Sequence, residues 1–344
     1  MDNSSRDCLN LNYLRRFGVE IEVNSFDMRN RAIGHEDGKL PVGIDYVGNL
    51  VRKITEERVL IHKWGNDHHN DIWIVKPDGS CGMEVCTPVL KGWNGVLRTC
   101  RVIDGFSKDP KITSDTRCSF HVHVDVSDLS EPQLASVISW WIKCEPVFMD
   151  SVPPRRKKNQ YCQFLGEMDI FEDVEDGLYS AESLFKRIGH CKYYTLNTFH
   201  YQNKKRKTIE FRIMDNECCL DAWMAKNWIR LVLHFVERAV TKGLPAAYDP
   251  GNKWSGYCWL DPNDVFDFLG FMPGQYDLSP GLKQVRGWFL SRLNKYAKNT
   301  GLRGVMSDKG RRIAQGQIDK LCAELSPEQI AVSDAEIYSE NFRI

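Results

Sequence analysis

Several features that identify common classes of protein are absent from this sequence. Its twelve cysteines include no CxxC pair, so we expect free thiols in a reducing compartment. The sequence contains neither GxGxxG nor GxxxxGK[ST], which argues against a Rossmann or P-loop nucleotide site. It also lacks an apolar run long enough to span a bilayer and an apolar signal core near its start. We therefore expect a cytoplasmic protein with no membrane partner.

Net charge is absent as well, because Lys+Arg and Asp+Glu both total 46. A balanced chain gives no global sign of a nucleic-acid or membrane-surface partner. The remaining composition, with 42% hydrophobic and 27% charged residues, is that of an ordinary globular protein. Its 344 residues are enough for one large domain or two modest ones.

What the sequence does contain is an alternation of polar and apolar residues, repeated in three separate segments. Successive residues of a strand point to opposite faces, so the polar residues of each segment share one face. They are Glu20 and Glu22 in the first segment, His121, His123 and Asp125 in the second, and Glu210 and Arg212 in the third. The pattern predicts a sheet with an apolar side and a polar active-site floor, which favours a metal ion and an anionic substrate.

The order of elements predicts an α+β fold with a largely antiparallel sheet rather than a doubly wound parallel one. Strands 71–76 and 82–87 flank the turn sequence Pro-Asp-Gly-Ser and form a hairpin. Longer segments with helical spacing lie at 92–106, 130–149 and 221–242. We expect a catalytic domain at 1–245 and a helical C-terminal extension at 246–344, packed on that domain.

The carboxylates have two interpretations. Burying Glu20 and Glu22 is costly unless they are paired, protonated or bound to a cation, but on an edge strand they would simply face solvent. Glu84 is the only charged residue between Gly82 and Leu90, and its alternative is a solvent-facing position on a half-buried strand. Asp78, within Pro-Asp-Gly-Ser, is typical of a turn rather than a ligand.

The histidines and the arginine also leave alternatives open. His121 and His123 can both bind one ion, or one can bind metal while the other contacts phosphate. Arg212 suits bidentate phosphate binding, although a salt bridge with Glu210 is the simpler alternative. Several carboxylates with one imidazole favour magnesium or manganese over structural zinc. With an arginine nearby, such a set matches a site for a Mg-nucleotide triphosphate.

Six motifs occur in an order that resembles the amidoligase family, within the carboxylate–amine ligase superfamily of glutamine synthetase and glutamate–cysteine ligase. The resemblance covers about residues 14–240. The motifs are FGVEIEV, DGS followed by MEVCTPVLKG, SFHVHVDVSDLS, PPRRKKNQYC, YYTLN, and TIEFRIMDNE leading into a tryptophan-containing helix. Residues beyond about 246 match no pattern of the family.

The resemblance implies a curved, mostly antiparallel sheet of glutamine-synthetase-like type, flanked by helices, whose concave face binds ATP with Mg²⁺, or Mn²⁺ in its place. It implies an ATP-dependent ligase that forms an amide through an acyl-phosphate. The implied metal ligands are Glu20, Glu22, Glu84, His121 and Glu210. The implied catalytic residues are Glu84, His121 and Arg212. The implied nucleotide or substrate contacts are Arg155, Arg156, Tyr161, His123 and Arg212.

The carboxylate and amine substrates are not named by the sequence. An amino acid, a peptide and a modified nucleobase all agree with the breadth of the family, and related folds often form homo-oligomers. Two other functions stay open. One is a metal-dependent hydrolase that uses His121, His123 and Asp125, and the other is a noncatalytic binding protein that retains the fold.

Overall fold

The structure is a computed structural model that describes residues 8–9, 14–25, 43–61, 70–165, 180–204, 206–245, 259–297 and 308–325. The strands are β1 (Cys8–Leu9), β2 (Arg16–Ser25), β3 (Val59–Ile61), β4 (Trp73–Pro77), β5 (Met83–Cys86), β6 (Leu90–Lys91), β7 (Ile112–Thr113), β8 (Phe120–Asp125), β9 (Leu196–Asn197), β10 (Thr208–Phe211) and β11 (Asp277–Leu278).

The helices are α1 (Ile44–Thr55), α2 (Gly92–Lys108), α3 (Glu131–Asp150), α4 (Pro154–Lys157), α5 (Ala181–Ile188), α6 (Phe199–Gln202), α7 (Glu217–Leu220), α8 (Ala222–Lys242), α9 (Pro262–Leu269), α10 (Pro280–Tyr296) and α11 (Asp308–Glu324). No helix in the described ranges is both long enough and apolar enough to cross a membrane. The fold is mixed α+β, as the order of elements predicts.

The chain divides into two compact units. The first, called here the sheet unit, comprises Tyr13–Asp125 and Glu210–Ile229. The second, called here the helical unit, comprises Met1–Asn12, Val126–Ile209 and Arg230–Ile344. The separate extension expected at 246–344 stays a prediction; its described parts contain α9, α10, α11 and the short strand β11.

In the sheet unit the strands follow the order β3-β4-β5-β2-β8-β10, and β6 and β7 also pair with β2. The pairs of β2 with β5 and β8, and of β4 with β5, are antiparallel, while β3 and β4 run parallel. The sheet is therefore mostly antiparallel, and the predicted β4–β5 hairpin is confirmed. The strand predicted at 82–87 is two residues shorter than expected, since β5 spans Met83–Cys86.

The apolar face of this sheet forms the core of the sheet unit. Val19, Ile21 and Val23 alternate with the glutamates of β2, and all three are fully buried or nearly so. Helix α1 packs on this side, and its Gly48 lies against Ile61 and Val75. A β-carbon at Gly48 would come within 2.6 Å of Ile61, so glycine permits the close approach of helix and sheet.

The helical unit is built around α3, whose residues from Leu134 onward are buried. The helix begins at the predicted place, because Ser130 and Gln133 form a capping box and Pro132 lies in the first turn. Trp141 of α3 stacks on Phe148 with ring centroids 4.9 Å apart. In the YYTLN motif, regular strand is confined to β9.

Candidate functional site

The register of the sheet brings the predicted carboxylates and imidazoles together on one face. Glu20 lies directly opposite His121 of β8, and Glu22 lies directly opposite Glu84 of β5. On the far side of β5, Glu84 faces Lys76 of β4. Opposed residues of an antiparallel pair share a face, with β-carbons about 5 Å apart. The alternation in the sequence thus becomes one continuous polar patch across four strands.

His121 is the centre of the first group of potential ligands. Its Nδ1 lies 3.3 Å from Oε2 of Glu20 and 3.2 Å from Oε1 of Glu210. Its Nε2 lies 3.8 Å from Oε1 of Glu22, and this buried nitrogen has no hydrogen-bond partner within the described residues. Burial, followed by the nearby charge of Arg212, lowers the pKa of His121, which favours the neutral imidazole that metal coordination requires.

His123 has the opposite electrostatic character. Its Nε2 lies 3.0 Å from Oε1 of Glu20 and 4.0 Å from Oε1 of Glu210. Burial opposes protonation, but the charges of these two carboxylates outweigh burial and raise the pKa of His123 to about 9. Burial likewise opposes ionisation of Glu20, but His123 and His121 hold the pKa of that carboxyl well below its usual range. His123 and Glu20 therefore form an ion pair at neutral pH.

Arg212 and Glu210 form a second ion pair, in which Nη1 of Arg212 donates to Oε1 of Glu210. Nη1 also lies 3.4 Å from Nδ1 of His121. Burial opposes ionisation of Glu210, but the guanidinium and the nearby charge of His123 together lower the pKa of this carboxyl. Arg212 therefore forms the salt bridge of the simpler alternative, and it also lies beside His121 of the same polar face, so its role in binding phosphate stays a prediction.

Glu84 lies among neighbours that the sequence analysis did not single out. Nζ of Lys76 lies 2.8 Å from its Oε1, and Sγ of Cys86 donates to the same oxygen at 2.8 Å. Burial and the charge of Glu20 raise the pKa of Glu84. Burial opposes the ammonium charge of Lys76, but the nearby acidic groups, Glu84 first and Glu20 with it, together raise the pKa of Lys76. Glu84 is thus a buried carboxylate rather than the solvent-facing residue of the alternative interpretation.

Asp78 acts as the turn former that its sequence predicts. Its Oδ1 accepts hydrogen bonds from the backbone nitrogens of Ser80 and Cys81 at 2.7 and 3.1 Å. Burial raises the pKa of Asp78, but the bonds from Ser80 outweigh burial and lower it. Asp78 nevertheless also lies within 4.8 Å of ligand atoms of Glu22 and Cys81.

We name the six converging side chains the sheet cluster. It consists of Glu20, Glu22, Glu84, His121, His123 and Glu210. Within it, ligand atoms of Glu20, His121 and Glu210 lie within 4.8 Å of one another, and so do those of Glu20, Glu84 and Cys86. In the described part of the chain, its four carboxylates face three cations, which are Lys76, Arg212 and the protonated His123. This excess of buried negative charge, with the unbonded Nε2 of His121, fits a divalent cation.

Asp125 does not join the cluster in the described residues. Its carboxylate accepts from Nε of Arg16 at 2.7 Å, and its backbone oxygen accepts from Nη1 of Arg15 at 2.8 Å. The groups of ligand atoms within 4.8 Å of one another do not include it. The hydrolase alternative therefore has two histidines in the cluster, with its third residue engaged in a salt bridge.

Arg155, Arg156 and Tyr161 lie in the helical unit, in α4 and the turn that follows it. Arg155 is exposed and Arg156 is buried, whereas Tyr161 is 41% exposed and lies edge-on against Tyr193. Their role in holding phosphate or a carboxylate stays a prediction, as do the roles of the individual residues in the sheet cluster.

Lys76 and Cys86 are the cluster neighbours that sequence reasoning missed. Both lie in segments that look like ordinary apolar strand, WIVK and MEVC. A signal was present for Lys76, because it is the charged residue next to the turn on its predicted strand and lies in a hairpin with Glu84. Pairing the two strands across the turn would have placed the two charges opposite each other.

Comparison with known proteins gives one family. Residues 14–236 match the family described as "Putative amidoligase enzyme". No curated protein matches the sequence. Among solved structures, the chain is similar to a bifunctional glutathione synthetase from Pasteurella multocida, at 10% identity and a TM-score of 0.35. That likeness covers 90% of this chain and 52% of the synthetase, so the chain spans about half of that protein's length.

Proposed function

The chain belongs to the amidoligase family, and from this premise we propose that it is an ATP-dependent ligase that joins a carboxylate to an amine through an acyl-phosphate. The observation that carries the proposal is the sheet cluster, because all its residues lie within the matched range 14–236. Buried carboxylates, a neutral imidazole and an adjacent guanidinium are the groups expected around a nucleotide triphosphate and its metal. We further propose that the sheet is curved in the manner of glutamine synthetase.

Mg²⁺, or Mn²⁺ in its place, would be held by Glu20, Glu22, Glu84, His121 and Glu210. When bound, the cation neutralises phosphate charge and polarises the transferring phosphoryl group. His123 and Arg212 would support the metal ligands rather than bind the metal. Glu20 and Glu210 are kept ionised by His123 and Arg212, so both carboxylates are prepared as hard oxygen ligands.

Arg212 is placed to neutralise the phosphoryl group during its transfer. Its Nη1 is held by Glu210, which fixes the guanidinium beside the cluster. His123, Arg155, Arg156 and Tyr161 are the further candidates for contacts to phosphate or to the substrate carboxylate. Overall, the substrate carboxylate displaces ADP from the γ-phosphate, and the amine then displaces phosphate from the acyl carbon and loses a proton. An amino acid, a peptide or a modified nucleobase is the expected class of substrate.

Calorimetric binding of ATP, with and without Mg²⁺, tests this proposal without knowledge of the substrates. Wild type should bind ATP only with Mg²⁺, and Glu84→Gln should weaken that binding by on the order of tenfold or more, because a ligand carboxylate is lost. The matched control is Glu56→Gln, since Glu56 is exposed at the end of α1 and should leave binding unchanged.

Two outcomes would count against the ligase. Absence of ATP binding in wild type would favour the noncatalytic protein, or the hydrolase if purified protein carries zinc or manganese. Equal ATP affinity of wild type and Glu84→Gln would mean that the nucleotide does not bind at the sheet cluster. If binding behaves as expected, release of ADP and phosphate only with both an acid and an amine present would identify the reaction class.

A further inference from the structure

Lys76 is a largely buried cation beside one of the proposed metal ligands. It lies directly opposite Glu84 in the β4–β5 pair, and its side chain is 16% exposed. Its Nζ lies 2.8 Å from Oε1 of Glu84. A lysine seldom enters such a position without a partner, because removing the ammonium from water is costly. Glu84 is the partner that makes the burial of this ammonium possible.

The geometry around Glu84 is asymmetric. The ammonium of Lys76 and the thiol of Cys86 both donate to Oε1, each at 2.8 Å, so neither donor occupies Oε2. Two donors on one oxygen fix the rotation of the carboxylate, and the second oxygen keeps its lone pairs for another ligand. On the other side of β5, Glu84 stands opposite Glu22 of β2. Lys76 thus holds Glu84 from the β4 side, away from β2, which carries Glu20 and Glu22.

We propose that Lys76 is a positioning residue for the divalent cation: it holds Glu84 through Oε1 so that Oε2 can bind the metal. The inference rests on the proposed function to the extent that Glu84 is taken as a metal ligand. It adds a residue outside the ligand set, and partners of that kind commonly tune metal affinity by orienting the ligands.

The sign of the effect, measured at several pH values, separates positioning from simple electrostatics. Lys76 also favours the ionised form of Glu84, so weakening that disappears as the pH rises would reflect protonation of the ligand, whereas weakening that persists reflects positioning. An ammonium near a metal site repels the cation, so removing the charge should tighten metal binding if Lys76 does nothing else. If Lys76 positions Glu84, its removal lets the carboxylate rotate away from the productive geometry, and binding weakens. A merely structural lysine would change the stability of the fold without weakening the affinity of the folded protein for metal.

The experiment uses Mn²⁺ alone as the probe, with the full chain and without ATP, and measures the Kd by calorimetry or by the electron paramagnetic resonance of free Mn²⁺. Lys76→Met should raise the Kd on the order of tenfold. Lys76→Arg, which keeps a cationic donor, should restore most of the affinity. The matched control is Lys108→Met, since Lys108 pairs with Asp104 at 2.6 Å on the exposed face of α2 and should leave the Kd unchanged.

A double-mutant cycle shows whether Lys76 acts through Glu84. In the Glu84→Gln background, Lys76→Met should no longer weaken Mn²⁺ binding, because the carboxylate that it positions is gone. Equal weakening in both backgrounds would contradict the proposal. If Lys76→Met does not fold, Lys76→Gln carries the same expectation, and thermal unfolding without metal establishes which variants are folded.

The failure of this inference can be told apart from that of the proposed function. Unchanged or tighter Mn²⁺ binding in folded Lys76→Met would overturn the role of Lys76 alone. Absence of Mn²⁺ binding in wild type would overturn that role and the metal site together. ATP binding that persists without a metal requirement would instead contradict the ligase proposal, whatever the result for Lys76.

Discussion

The ion pair between His123 and Glu20 predicts a specific pH dependence of stability for the metal-free protein. The folded pKa of His123 is about 9, whereas an exposed histidine titrates near 6.5. Because the folded value is raised, the stabilisation is fully present below about pH 6.5 and disappears as the pH rises through about 9. The perturbation is His123→Gln, which keeps a polar side chain and removes the titrating group.

The magnitude follows from the difference between the two pKa values. A rise from about 6.5 to about 9 corresponds to about 3 kcal/mol of stabilisation at low pH, of which about 2 kcal/mol is lost between pH 7 and 9.5. The carboxylates of Glu20 and Glu210 have lowered pKa values, so their contributions are lost in acid and not in this window. His121, with a lowered pKa, is already neutral above pH 7 and adds no slope there.

The assay is urea denaturation in EDTA at several pH values from 7 to 9.5, on wild type and His123→Gln. The free energy of unfolding of wild type should fall by about 2 kcal/mol more than that of the variant over this range. His234→Gln is the control, because burial lowers the pKa of His234 to about 4 and it is neutral throughout the window. Parallel pH curves for wild type and His123→Gln would refute the assignment of the charge to His123.

Two further predictions test other parts of the molecule. Arg212→Met should weaken Mg-ATP binding on the order of tenfold, through loss of a charge-assisted hydrogen bond, while Mn²⁺ binding without nucleotide persists. The control is Arg117→Met, in the exposed pair with Asp115, and equal ATP affinity of the two variants would contradict a role of Arg212 in nucleotide binding. Trp141→Ala should lower the free energy of unfolding by about 3–5 kcal/mol, because Trp141 is 0% exposed and donates to Thr195 at 3.0 Å. Urea titration measures this loss, and Trp223→Ala is the control, because Trp223 is half-exposed. An equally small loss in both variants would contradict the prediction.

Much of the fold and of the candidate site can be predicted from the sequence, for a local reason. The period of two fixes which residues of a strand share a face, so Glu20 and Glu22 could be grouped without knowing any other strand. The hairpin of β4 and β5 is also local, since Pro77-Asp78-Gly79-Ser80 sets the turn. The start of α3 is local as well, since Ser130 and Pro132 lie where the helix begins.

The order of strands could not be predicted in this manner. β2 lies between β5 and β8, which come about 60 and 100 residues later in the chain, and no local pattern encodes that neighbourhood. The opposition of Glu22 with Glu84, and of Glu20 with His121, is therefore a result of the tertiary structure. The surroundings of Glu84 are tertiary in the same sense, because its neighbour Glu22 on β2 comes from a distant part of the chain.

Asp125 shows why sharing a face is not the same as sharing a site. It has the parity of His121 and His123, and the alternation groups all three. A strand advances about 3.3 Å per residue, so His121 and Asp125 stand about 13 Å apart along β8, too far for both to bind one ion. Phe17 pairs with Val124, so the end of β8 lies beside Arg16, and Asp125 forms its salt bridge there. Ligands for one metal must instead converge from neighbouring strands, as Glu20, His121 and Glu210 do, and this favours the carboxylate-rich ligase site over a hydrolase built along a single strand.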